Sequence, residues 1–217
     1  FDPTAKSVPF GRLPATLAGA WALVIGKDAQ SNLVPLPESR PAENLVRHRG
    51  NLRLDVTSAR GEVTTFFSGT TAWAWREWLK KIEPRQRPDR FREKLARSLP
   101  GVRISDLVIS GLEVVADTIS WQIRFEAPLP GQRVGSLLLL QPDFLTWESP
   151  TCLPDANPRE TVLGVPARTE TEAEIVFPEG WLIDDLPDSV HVENGIGLYE
   201  RSCRGEQGRI RLHRLME

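Results

Sequence analysis

Thr118-Ile119-Ser120-Trp121-Gln122-Ile123-Arg124-Phe125 places an apolar side chain at every second position, with a polar one between. Successive side chains of a strand point to opposite faces, so this stretch predicts a β-strand with one buried and one wet face. The same period recurs outward from it. Leu52, Leu54 and Val56 alternate with polar neighbours, Ser58-Ala59-Arg60-Gly61 reads as a turn, and Val63, Thr65 and Phe67 alternate back, which predicts a hairpin. Downstream, Ala173, Ile175 and Phe177 alternate with glutamates, and Ile196, Leu198 and Tyr199 lead into a closing hairpin. That hairpin turns at residues 204–208 and carries Ile210 and Leu212 in its last strand. The run from Val134 to Leu140 is apolar on both faces and predicts a central strand.

Two segments break the two-residue period. Thr70 or Thr71 is placed to cap a helix whose Trp75, Trp78, Leu79 and Ile82 share a face, and Pro84 ends it. Pro88 opens a second helix with Phe91, Leu95 and Leu99 as its stripe, closed by Pro100-Gly101. Residues 1–40 hold Pro3, Pro9, Pro14, Pro35 and Pro37 and predict irregular chain, with one short strand over residues 20–25. The expectation is a mainly β fold with two inserted helices, arranged as an antiparallel β-sandwich-like body. Residues 1–40 read as the tail of one domain and a linker, and 41–217 as a β-rich domain with its helical insert at about 70–99.

The net charge of −2 gives no global attraction to nucleic acid or an anionic membrane. Its distribution is uneven. Residues 80–97 hold eight Lys/Arg against three Asp/Glu, whereas 143–200 hold thirteen Asp/Glu against Arg159 and Arg168, so the two regions are placed to attract each other within the fold. No apolar run is long enough to cross a bilayer. The first residue is Phe1 and no leader follows it, so any targeting signal is expected upstream. Cys152 and Cys203 are either one disulfide, closing a loop of about 50 residues worth roughly 4 kcal/mol, or two buried thiols.

Chemistry-bearing groups are sparse. His48, His191 and His213 lie far apart, with no ligand-spaced partner, so neither a metal nor another cofactor is expected. Cys152 sits in a Pro-bounded loop rather than at a helix N-terminus, and Cys203 has only His213 as a base within reach across the last hairpin. No serine has nucleophile-elbow context and no glycine loop is built for phosphate. Glu170, Glu172 and Glu174 share one strand face, which suggests solvent rather than a catalytic pair. Of seven tryptophans, Trp73 falls off the helical stripe, and an exposed indole beside cationic residues is a stacking site for sugars or a partner surface.

At the N-terminus, Phe1-Asp2-Pro3-Thr4-Ala5, Val8-Pro9-Phe10-Gly11 and Leu13-Pro14 resemble the last strand and exit of bacterial transglutaminase-like domains. Near the C-terminus, Pro178-Glu179-Gly180-Trp181, Leu186-Pro187 and Asn194-Gly195-Ile196-Gly197 resemble the β domain of unknown function that follows such cores. The resemblance implies that Asp2 is the third member of a Cys-His-Asp triad whose cysteine and histidine precede this chain. An aspartate in that role orients an imidazole and has no catalytic power alone. It further implies a periplasmic or cell-surface setting.

Three functions follow as expectations. The first is a non-catalytic C-terminal accessory module of a transglutaminase-like cysteine protease or acyltransferase. Its partners would be the upstream catalytic domain and a protein or envelope polymer, with no nucleic acid and no membrane span. The second is an independent binding module for a glycan or anionic ligand, using Trp73 and the basic helices. The third is a hydrolase assembled from carboxylates or from Cys203 and His213.

Overall fold

The computed structural model describes residues 8–14, 17–26, 31–140 and 165–217. Asp2 and Cys152 lie outside these residues. In chain order the strands are β1 (Trp21–Ile25), β2 (Ser31–Pro35), β3 (Leu45–Leu54) and β4 (Ser58–Ser68), followed by α1 (Gly69–Lys80) and α2 (Arg87–Leu95). Then come β5 (Arg103–Ser110), β6 (Thr118–Pro128), β7 (Gln132–Val134), β8 (Leu137–Leu139), β9 (Arg168–Val176), β10 (Val190–Glu193), β11 (Leu198–Glu206) and β12 (Arg209–Met216).

Eight strands form one sheet in the order β10-β11-β12-β9-β3-β4-β6-β5. The mainly β reading with two inserted helices holds. The sheet is mixed, because β9 runs parallel to β3 while every other neighbouring pair is antiparallel. Two antiparallel groups of four strands therefore meet at one parallel seam. Among the described residues, helices rather than a second large sheet cover the inner face at β4, β5 and β6. Trp181 packs against the core, and Ile183 and Leu186 lie over Gly205 of β11.

The period-2 pattern of β6 is realised in full, with Ile119, Trp121, Ile123, Phe125 and Ala127 all buried. They meet Val63 and Phe67 of β4, and Leu52 and Leu54 of β3, across the sheet. The β3–β4 turn falls at residues 55–57, where Asp55 N–H donates to Ser58 O and Asp55 Oδ1 accepts from Val56 N–H. Ser58-Ala59-Arg60-Gly61 is thus strand and not turn. Gly61 serves packing there: a Cβ would lie 2.6 Å from the Phe125 ring and 2.8 Å from Asn51 O.

Val134 to Leu140 is likewise no central strand. Gly135, at φ +60, reverses the chain into the small β7–β8 ribbon, which leaves Val134, Leu137 and Leu139 exposed. Residues 1–40 contain a second strand, β2, beside the expected β1.

Neither Thr70 nor Thr71 caps α1. Asn44, buried at the start of β3, accepts from Thr70 N–H through Oδ1 at 2.9 Å. Its amide donates to Ser39 Oγ and Pro166 O, so one side chain ties the helix start to the chain entering both strands of the seam. The second helical stripe holds as read: Phe91, Leu95 and Leu99 are buried.

Candidate functional site

Helix α1 turns a different face to the sheet than its sequence predicts. Ala72, Trp73, Arg76 and Leu79 are buried, and Trp73 retains only 7% exposure. Trp73 therefore lacks the free indole face that a stacking site requires. The cause is Arg76, whose Nε donates to Gly111 O at 3.0 Å and whose second terminal nitrogen donates to Thr118 O at 2.6 Å. A buried guanidinium holding two carbonyls fixes the roll of the helix, and burial lowers its pKa. Trp75 and Trp78 instead lie half-buried beside Phe67, Phe91 and Trp121, with Lys94 Nζ 5.1 Å and 5.5 Å from their ring centres. Their aromatic faces are engaged within the fold.

Cys203 and His213 lie on opposite faces of the sheet. Cys203 pairs with Leu212 in register and packs toward the core, while His213 pairs with Ser202 and points outward. Burial raises the pKa of the Cys203 thiol, partly offset by Arg201, so it is a poor nucleophile. Among the described residues, His48, Thr65 and Thr171 of adjacent strands form a polar row on the inner face, continued by Arg214 of β12 opposite Thr171. His48 Nδ1 lies 3.1 Å from Thr65 Oγ1. Burial, with a smaller contribution from Arg214, pushes the His48 pKa down to about 4, so the ring is neutral at pH 7.

The outer face is a lattice of charge that sequence reasoning did not assemble. Arg47, Arg49 and Arg53 of β3 share it with Glu170, Glu172 and Glu174 of β9, then with Arg209, Arg211 and His213 of β12. Arg47 Nε meets Glu170 at 2.6 Å, Arg49 meets Glu172 at 3.0 Å, and Arg211 meets Glu174 at 3.1 Å. Farther along, Arg124 meets Glu62 at 2.7 Å, holding that carboxyl below its usual range. Glu170 is partly buried, which opposes ionisation, but hydrogen bonds from Arg47 and Arg168 prevail and lower its pKa. The acids of β9 thus pair with the arginines of β3 and β12, while the basic α2 pairs internally through Arg92–Asp89 and Arg90–Glu93. The signal was present as charges two residues apart in three strands. The order of those strands was not.

A depression of about 600 Å³ opens in this lattice, lined by Arg49, Glu172, Glu174, Ser202, Arg204, Arg211 and His213. Ser202, His213 and Glu172 are directly opposed in β11, β12 and β9, which are the residue types of a hydrolytic triad. Three observations argue against chemistry there. Glu172 is turned to Arg49. Among the described residues, no hydrogen bond joins His213 to Ser202 or Glu172. The strands' ladders engage the backbone N–H groups that would otherwise stabilise an oxyanion. What the depression can do is hold a polar ligand against a surface carrying both signs of charge.

Among the described residues, no group of three or more His, Cys, Asp or Glu is placed to hold a metal ion. No helix among them is long and apolar enough to cross a membrane. Comparison with protein-family models, with curated proteins and with solved structures finds no match.

Proposed function

We propose that this chain is the non-catalytic, trailing β module of a transglutaminase-like cysteine enzyme, serving its stability and its contact with substrate. The observation that carries the reading is the separation of reactive groups. The thiol of Cys203 faces the core and its nearest candidate base faces solvent, while the outward serine–histidine row lacks a free carboxylate partner. Such a body is a scaffold that presents surfaces rather than a centre that makes bonds. By the same resemblance, the parent acts on peptide or isopeptide bonds in a bacterial periplasmic or cell-surface setting, with Asp2 contributed to its triad.

Removing residues 41–217 from the longer protein tests the reading. The truncated enzyme is expected to lose thermal stability or to bind substrate more weakly, read by melting and by KM. Unchanged stability, KM and kcat would sink it. A second reading, a binding module for an anionic ligand, is favoured by Arg49, Arg204, Arg211 and His213 in the depression. It predicts saturable binding of an acidic peptide or polysaccharide, lost in Arg211→Ala.

A further inference from the structure

The polar row of the inner face does not stop at Arg214. Arg201 of β11 stands directly opposite Arg214, so Thr65, His48, Thr171, Arg214 and Arg201 follow one another across five strands. The row is dry at one end, where Thr65, His48 and Thr171 are buried, and half-buried at Arg214 and Arg201. Two arginines opposed on one face repel each other, a cost that an anion between them would reverse.

The strands themselves supply no such anion. On the inner face of β9, β11 and β12 no described residue is acidic, because Glu170, Glu172, Glu174, Glu200 and Glu206 alternate onto the outer face. Arg201 meets no carboxylate among the described residues. A terminal nitrogen donates to Asp188 O at 3.4 Å, and its Nε is buried without a partner. Thr171 is 1% exposed, and its Oγ1 likewise has no hydrogen-bond partner. Ile183 and Leu186, which cover this part of the sheet, lie over Gly205, about 13 Å along β11 from Arg201.

We infer that Thr171, Arg214 and Arg201 form a binding site for a small oxyanion, a carboxylate or a phosphate group, on the face opposite the depression. The open donors define the ligand. A guanidinium Nε–H can only donate, and a hydroxyl beside two cations donates best to a negative oxygen. A donor left unpaired away from water is costly, so an oxyanion that accepts from both relieves both. Arg214 adds its charge: it contributes to keeping the neighbouring His48 ring neutral, which places the cation at this end of the row. Thr171 and Arg201 are two strand spacings apart, about 10 Å, with Arg214 between them. Both arginine side chains can therefore close on one anion above the threonine. The half-exposed arginines give the ligand its entrance, and the buried Thr171 is the floor. The site does not depend on the function proposed above.

Titration of the 217-residue chain with sodium phosphate, and separately with sodium acetate, tests the site against sodium chloride at matched ionic strength. Saturable shifts are expected in the His48 ring and in the Thr171 and Arg201 amides, with phosphate or acetate and not with chloride. Arg201→Gln should weaken binding at least ten-fold, through loss of a charge-assisted pair, and Thr171→Val about three-fold. Arg211→Gln, on the outer face, should leave these shifts unchanged, and native β5 and β6 amides without ligand show that each variant folds. Tighter phosphate assigns the site to a phosphoryl group and tighter acetate to a carboxylate, and either upholds it. An equal response to chloride means an adventitious ion only and overturns it. Binding lost in Arg211→Gln and kept in Arg201→Gln moves the anion to the depression, which also overturns it. Absence of saturation with both ions does the same, and that result on the wild type stands even where a variant fails to fold.

Discussion

Burial of the His48 ring beside Thr65 and Thr171 means that the folded chain refuses a proton that the unfolded chain accepts. The unfolded imidazole charges below about pH 6.5 and the folded one only near pH 4. The contribution to stability is complete above pH 6.5, is lost as the pH falls toward 4, and changes no further below that. The full loss amounts to roughly 3 kcal/mol. Urea unfolding across this window should show wild type losing that much more than His48→Gln, and parallel losses in both proteins would remove His48 as the cause. Arg76 is the complementary case. A lone arginine in a helix reads as a solvent group, because the carbonyls of Gly111 and Thr118 that hold it lie more than thirty residues away. Its burial is what rolls Trp73 inward, so the stacking role expected of Trp73 failed through a neighbour and not through the indole itself.

Elements were legible where one face of a strand or helix is dry. Strands β4 and β6, and the Phe91–Leu95–Leu99 stripe, follow from their own periodicity. The segment from Val134 to Leu140 misled because composition outweighed its one glycine. Strand β5, whose residues alternate only loosely, was missed, and the turn that closes β11 on β12, expected over residues 204–208, takes up only 207 and 208, with 204–206 in strand. Helix α1 was found, but its cap was not, since Asn44 precedes it by a whole hairpin. That cap yields a prediction. Asn44→Ala removes the acceptor for Thr70 N–H and strands the partners of a buried amide, so it should cost about 2 kcal/mol. Asn44→Asp keeps the acceptor and should recover part of that loss in the same denaturation experiment. Equal stability of wild type and Asn44→Ala would show that water caps the helix as well as the side chain does.

At the scale of the whole molecule, the parallel pairing of β3 with β9 joins residues that are more than 120 positions apart. No local pattern announces such a pair, and the charge lattice of the outer face depends on it. Amide exchange should grade outward from this seam: slowest in β3, β4 and β9, which open only with global unfolding, and fastest in β5 and β10 at the sheet's two edges. Fast exchange in β9 with slow exchange in β4 would mean that the two four-stranded groups melt separately. The seam also sets an order of events during synthesis. Strands β3 to β6 can pair as soon as they leave the ribosome, whereas β3 keeps one edge bare until β9 emerges, several seconds of translation later. A nascent chain with a bare, ten-residue strand edge is a template for pairing with its neighbours on the polysome. The arginines that project from β3 at positions 47, 49 and 53 would keep those nascent edges apart by repulsion until the glutamates of β9 arrive to accept them.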